Sequence, residues 1–304
     1  MKRNIYSYSK LWMIFFVLMG AACTNQVEDA IPVSSQPIGF SVQSDWTEIP
    51  NTRLKDDNGT MTFTGGDQIQ IFGFHKSSPD GVEKVQKFMY DVKNPNNGQI
   101  VIYDGNSSWN YTPKRFWPKE GKLDFFASYP YNSVHYTGVN QRMTYENPLT
   151  QDLLYGLATD RDCASASKDI VRIWMVHALA KVKISFDSSL GDIRKVKVSA
   201  YKAGYFDYTY GGVPNWIVDE TTTQEATFSP DKGQTKIDQV TVFVLPHKIK
   251  GLILTLSNGT EIDASDKIQS YLFDAGKPYD LTIHRAQKNT NSCSIAMSVR
   301  CVSE

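Results

Sequence analysis

The chain has 304 residues, 41% of them hydrophobic, with 32 basic and 32 acidic side chains and a formal net charge of zero. That length usually divides into about two domains, and the apolar content is enough to give each a core. Nothing in the even charge balance suggests a nucleic-acid binder.

At the N-terminus, Lys2, Arg3 and Lys10 precede an apolar run from Leu11 to Met19 that stops at the small residues of GAAC. This is the layout of a secretory signal peptide over residues 1–22. The run is shorter than the about 20 residues that a bilayer-spanning helix needs, and no later stretch comes close, so no transmembrane helix is predicted in the mature chain. A Cys directly after small residues resembles the lipobox of bacterial lipoproteins, with Gly20 where that pattern prefers Leu. The resemblance implies that the Cys23 thiol is acylated, with palmitate-type chains, and that Cys23 becomes the new N-terminus. Each buried methylene contributes about 0.8 kcal/mol, so several chains hold a folded body at the outer membrane. Loss of residues 1–22 leaves 282 residues with 29 basic and 32 acidic side chains, a net charge of −3.

Residues 23–37, beginning TNQVEDAIPVSSQP after Cys23, are polar and aperiodic and carry two prolines, which predicts a flexible tether. Glu28 and Asp29 are similar to the short acidic signals that send some Bacteroidetes lipoproteins to the outer face.

From residue 38 onward apolar residues recur at every second position in short runs. They include Ile69 and Ile71, Phe88 with Tyr90 and Val92, Val182 with Ile184 and Phe186, Val240 with Val242 and Val244, and Leu252 with Leu254 and Leu256. That is strand spacing. Turn pairs at Asn58-Gly59, Asp80-Gly81, Asn97-Gly98, Asp104-Gly105 and Asn258-Gly259 separate the runs. These residues tolerate the positive φ of tight hairpins, and Asn258-Gly259 predicts one between LILTLS and TEIDA. The best helical fragment is DLLYGLA at 152–158. Short strands with frequent turns predict an all-β fold with a β-sandwich formed twice. The polar stretch DSSLGD at 187–192 marks the boundary, giving an N-terminal sandwich over 38–188 and a C-terminal sandwich over 189–304.

Six aromatics crowd RFWPKEGKLDFFASYPY at 115–131. In an extended chain Leu123, Phe125, Ala127, Tyr129 and Tyr131 share one face, while Asp124, Phe126 and Ser128 share the other. A period of two sends one row inward, which favours a core strand. The competing reading makes Trp109, Tyr111, Trp117 and Tyr131 an exposed stacking surface for sugar rings, with Trp109 and Trp117 as the glycan contacts of a lipid-anchored surface protein.

Catalytic motifs are missing: there is no GxSxG, HExxH, P-loop or Gly-rich dinucleotide pattern. The five histidines are scattered, and His177 in MVHALAK reads as a partly buried, hydrogen-bonded structural residue. Beyond Cys23, the cysteines are Cys163, Cys293 and Cys301, which fit no metal spacing. Cys293 and Cys301 form a bridge or remain thiols, and the spacing leaves both open.

A longer resemblance is carried by four stretches in order after the lipobox: NTRLKDDNGTMTFTGGDQIQIFGF at 51–74, WNYTPKRFWPKEGKLDFFASYPY at 109–131, QDLLYGLA at 151–158 and VRIWMVHALAKVKISF at 171–186. This combination resembles the fimbrillin (Mfa-like) family of Bacteroidetes. YKAGYFDYTYGGVPNW at 201–216 and AGKPYDLTI at 275–283 extend the likeness more loosely. The resemblance implies two tandem transthyretin-like β-sandwiches, no cofactor, no metal and no enzymatic activity. It implies a pilus subunit or adhesin at the outer membrane or in a fimbrium, with other fimbrial subunits and host or bacterial surface ligands as partners.

In the family a trypsin-like protease cuts after an Arg in the loop behind the first strand, which then leaves, and a neighbouring subunit's strand fills the gap. Here PIGFSVQSDW supplies the displaced row Ile38, Phe40 and Val42, and Arg53 stands at the family's cleavage position, followed by Leu54 where Ala is commoner. The C-terminal CSIAMSVRCVSE offers Ile295, Met297 and Val299 as a donor row. The alternative for that segment is pairing within its own domain.

Overall fold

The computed structural model describes residues 31–44, 55–57, 60–78, 81–138, 142–164, 170–207, 215–286 and 295–301. Strands dominate throughout. The first are β1 (Val33–Pro37), β2 (Phe40–Ser44), β3 (Lys55–Asp57), β4 (Thr60–Thr62), β5 (Gln68–Ser77) and β6 (Lys84–Met89). Next come β7 (Gln99–Tyr103), β8 (Trp109–Asn110), β9 (Phe116–Pro118), β10 (Lys122–Tyr129), β11 (Val134–Tyr136) and β12 (Arg142–Glu146). The middle of the chain holds β13 (Leu154–Asp162), β14 (Val171–His177), β15 (Ala180–Phe186), β16 (Ile193–Asp207) and β17 (Trp216–Phe228). The last are β18 (Gln239–Val244), β19 (Ile249–Leu256), β20 (Glu261–Asp263), the one-turn helix α1 (Ser265–Ile268), β21 (Pro278–Arg285) and β22 (Ile295–Cys301).

Three larger sheets result. An eight-stranded sheet runs β2-β14-β13-β10-β5-β7-β8, with β6 also on β5. A six-stranded sheet runs β11-β12-β16-β19-β20, with β17 also on β16, and a four-stranded sheet runs β18-β15-β21-β22. Two ribbons, β1-β9 and β3-β4, complete the pairing. The Asn258-Gly259 hairpin forms as its residues require, while Asn58-Gly59 lies outside the described residues. β3 and β4 pair through Asp57 and Thr60, and Gly259 takes φ +83° between β19 and β20.

Apolar alternation sorts the buried side chains into three layers. On one face of the eight-stranded sheet, Ile69, Ile71, Leu123, Phe125, Ile173 and Met175 form the first core. On its other face Phe72, Phe74, Phe126 and Tyr155 meet Val134, Met143, Tyr145, Tyr201 and Phe206 from the six-stranded sheet. The third layer, with Val182, Ile184, Val198, Val242, Leu252 and Leu281, fills the space between the six- and four-stranded sheets.

Both rows of β10 are therefore inside. Phe125 enters the first core and Phe126 the middle layer, while Asp124 and Ser128 are buried as well. Period two predicts one inward row, but a second sheet laid over the outer face buries the other. Gln70, on the same face, donates from its buried Nε2 to Ser128 Oγ at 2.9 Å and to the Val134 carbonyl at 2.8 Å.

Two further expectations change. The helical fragment at 152–158 is strand from Leu154, held between β10 and β14. Gly156 sits so close to the Trp174 carbonyl that a Cβ has no room there, and hydrogen bonds on both sides override the local pattern. Ala180–Phe186, placed by chain position in the 38–188 sandwich, pairs with β18 and β21 instead. In the reverse sense, β12 joins β16. A period-two row specifies a strand but not its partner, so chain order and sheet membership part company here.

Phe126 packs on Phe72, Tyr155 and Phe206 across the middle layer. Replacing it with alanine leaves a cavity between two sheets and is expected to cost about 3–5 kcal/mol. Urea unfolding of Phe126→Ala against the native chain measures this; a loss below about 1 kcal/mol contradicts the layered packing.

Candidate functional site

The open margin of the eight-stranded sheet carries the first strand. β2 lies parallel to β14, with Phe40 beside Val171, Ser41 beside Arg172, Val42 beside Ile173, Gln43 beside Trp174 and Ser44 beside Met175. Ile38, Phe40 and Val42 turn inward and are only 1%, 4% and 6% exposed. The Phe40 ring meets Phe125 edge-on at 5.3 Å and Tyr111 at 5.7 Å. The predicted row is thus part of the first core, although among the described residues the strand has a sheet neighbour on one side alone.

Main-chain contacts hold the strand's start. The Ile38 N–H donates to the Arg115 carbonyl at 2.9 Å, and the Val171 N–H donates to the Gly39 carbonyl at 2.8 Å. The buried Tyr111 hydroxyl donates to the Ile38 carbonyl at 2.7 Å. Burial pushes the Tyr111 hydroxyl above the usual tyrosine range, against hydrogen bonding and charge from Arg115, so it stays protonated and able to donate. Just upstream, β1 runs along β9. Residues 33–44 therefore attach to the body along two separate strands.

The tail occupies the opposite end of the chain's sheet system. β22 pairs antiparallel with β21 from Arg285↔Ile295 to Tyr279↔Cys301 and forms the margin of the four-stranded sheet. Ile295, Met297 and Val299 are half-buried and pack against the third core layer. Within the single chain the segment lies along β21.

The proposed glycan contacts fail on burial. Trp117 is 0% exposed and packs edge-on against Phe125 at 6.2 Å. Trp109 is 5% exposed, enclosed by Phe63 and Tyr103. Tyr111 is equally inaccessible, because the first strand and the 109–117 segment fold over these rings. Cys23, Arg53 and Cys293 lie outside the described residues. Cys163 is a buried thiol whose Sγ lies 3.8 Å from the Arg161 carbonyl.

His177 is a structural residue, as its apolar neighbours suggested. Its Nδ1 hydrogen-bonds the Asp152 carboxylate, and both side chains are buried. The other carboxylate oxygen accepts from the Leu153 N–H at 2.7 Å. The pair fastens the approach to β13 onto the end of β14.

Sequence reasoning missed two residues of the site. The Tyr111 hydroxyl holds the first strand, and nothing local to Tyr111 announces a partner 73 positions away. Trp174 stands 47% exposed beside Gln43, and the alternation within VRIWMVH is the signal that sets it on the face opposite Ile173.

A family model described as fimbrillin-like matches residues 52–298. The chain belongs to the fimbrillin-like family. A fimbrium subunit from Phocaeicola vulgatus, Fim1C, is 26% identical over 222 residues, covering 63% of this chain and 55% of that relative. This fimbrillin-like chain thus spans about half the length of the curated relative it matches. Among solved structures, a proposed cell adhesion protein from Bacteroides uniformis superposes with a TM-score of 0.53 at 18% identity, covering 87% of this chain and 98% of that one. Another from Bacteroides ovatus gives 0.53 at 14% identity, covering 89% and 99%. These two establish the likeness of fold.

Tyr111→Phe keeps the ring and removes one hydrogen bond worth about 1 kcal/mol. Amide exchange in residues 38–44 is expected to quicken about fivefold, while β16 and β19 keep their native protection. Hydrogen-exchange mass spectrometry reads the difference; equal protection in residues 38–44 removes Tyr111 from its role in holding the first strand.

Proposed function

We propose that this chain is a structural subunit or adhesin of a surface fimbrium, joined to other fimbrial subunits by strand exchange. The observation that carries the reading is a marginal strand whose whole apolar row is core, held by β14 on one side. Family membership and the fimbrium subunit among its relatives support it. Removal of β2 uncovers Val171, Ile173 and Phe125 and leaves the β2-facing edge of β14 unpaired. An open margin of that kind invites aggregation, so an extended segment must replace the strand. Strand addition satisfies main-chain donors and acceptors while alternate side chains fill the pockets.

In this reading the signal peptide directs export, Cys23 carries the lipid that tethers the body to the outer membrane, and a trypsin-like protease cuts after Arg53. Residues up to the cut then depart, and β22 of another subunit enters. The contact is head to tail, so its repetition builds an open filament. An adhesin at a filament end presents surfaces to host or bacterial ligands. The reading assigns no catalytic step and no cofactor.

Low-dose trypsin applied to the mature protein is expected to nick it first near Arg53 and to produce a ladder of oligomers on a denaturing gel. Nicked protein that stays monomeric speaks against strand exchange. Fatty-acid labelling in the native host is expected to mark the wild-type chain and to miss Cys23→Ala, and label retained by that variant would refute the anchor.

A further inference from the structure

Residues 38–44 and 295–301 read Ile-Gly-Phe-Ser-Val-Gln-Ser and Ile-Ala-Met-Ser-Val-Arg-Cys. The two strands are identical at three of the seven positions, and every other position exchanges residues of similar size or reach. We infer that β22 of a second copy enters the β2 slot parallel to β14 in one register, Ile295 taking the place of Ile38, and that Trp174 selects this strand by receiving Arg300. The inference rests on the strand-exchange reading and specifies its partner.

The inner row fits by burial. Ile295, Met297 and Val299 are half-buried beside β21, whereas the positions they would take are nearly closed to water. These three side chains are therefore covered more completely in the β2 slot than beside β21. Cys301 takes the buried position of Ser44, another small residue.

Position 39 tests the register independently. A Cβ built on Gly39 meets only the Ile170 Cγ1 at 3.6 Å, an ordinary van der Waals contact. The side chain of Ala296 is therefore accommodated, and it covers part of Ile170, which is 58% exposed beside the resident glycine. A shift by one residue would instead place Met297 there and turn the apolar row outward.

The outer row supplies the selection. Inward positions on β14 are Val171, Ile173 and Met175; outward stand Ile170, Arg172 and Trp174. The resident strand sets Ser41 beside Arg172 and Gln43 beside Trp174. In the inferred register Ser298 replaces Ser41 without change, and Arg300 replaces Gln43. A guanidinium beside an exposed indole gains a cation–π contact that an amide lacks. The Tyr111 hydroxyl, which donates to the carbonyl of residue 38, and the Arg115 carbonyl, which accepts from its N–H, touch main-chain atoms alone and suit either strand.

The test uses the mature chain nicked after Arg53 by low-dose trypsin, with a fluorescent peptide of residues 293–304, its cysteines replaced by serine, and a control peptide of residues 36–46. Peptide retained after gel filtration is quantified. Both peptides are expected to bind, and Arg300→Ala in the tail peptide is expected to lower its retention about two- to fivefold. On Trp174→Ala chain the wild-type and Arg300→Ala tails are expected to bind alike, while the 36–46 peptide keeps its affinity. Independent, additive losses from the two substitutions overturn the Arg300–Trp174 contact and its register. Retention of the control without the tail overturns the choice of β22. Retention of neither peptide by the nicked chain counts against strand exchange itself.

Discussion

One margin of one sheet governs the molecule. β14 turns Val171, Ile173 and Met175 into the first core and offers its outer backbone to a single neighbour. Whatever lies there must be extended, must pair with β14 and must carry an apolar side chain at every second position. Each such side chain is worth about 1.5–3 kcal/mol when fully buried, so the margin is strongly biased toward occupancy.

The rest of the architecture makes an exchangeable margin tolerable. The central strands β5 and β10 are covered on both faces, by the first core and by the aromatic middle layer. Phe72, Phe126, Tyr155 and Phe206 interlock there, and the buried Gln70 amide ties β5 to β10 and to the end of the Val134 turn. Loss of β2 removes part of one core and leaves the middle layer untouched. Stability is thus unequally distributed, highest in the centre and lowest at the margin where a partner would join.

Much of this was legible in the residues, because period-two apolar rows and Asn-Gly turns are local signals. The row Ile38, Phe40 and Val42 and the row Ile295, Met297 and Val299 were both visible as strand faces, and His177 was recognisable as structural from its apolar neighbours. The aromatic stretch was harder. Trp117 beside Pro118 reads equally as an exposed platform or a buried wedge, since exposure depends on what packs over it. Here Phe125 and the first strand do so. DLLYGLA misled for a related reason: its helical spacing is weaker than the hydrogen bonds that β10 and β14 impose from outside.

By itself the sequence determined the all-β character, the turn positions, which face of each strand is apolar, and the membership signalled by the ordered motifs from 51 to 186. Those properties depend on neighbours within a few residues. Only the tertiary structure decided that β15 joins β18 and β21, that β10 is buried twice, that Tyr111 reaches Ile38, and that Trp174 stands bare beside Gln43. Each of these depends on which distant strand arrives alongside, and a local period records that a partner is needed without naming it.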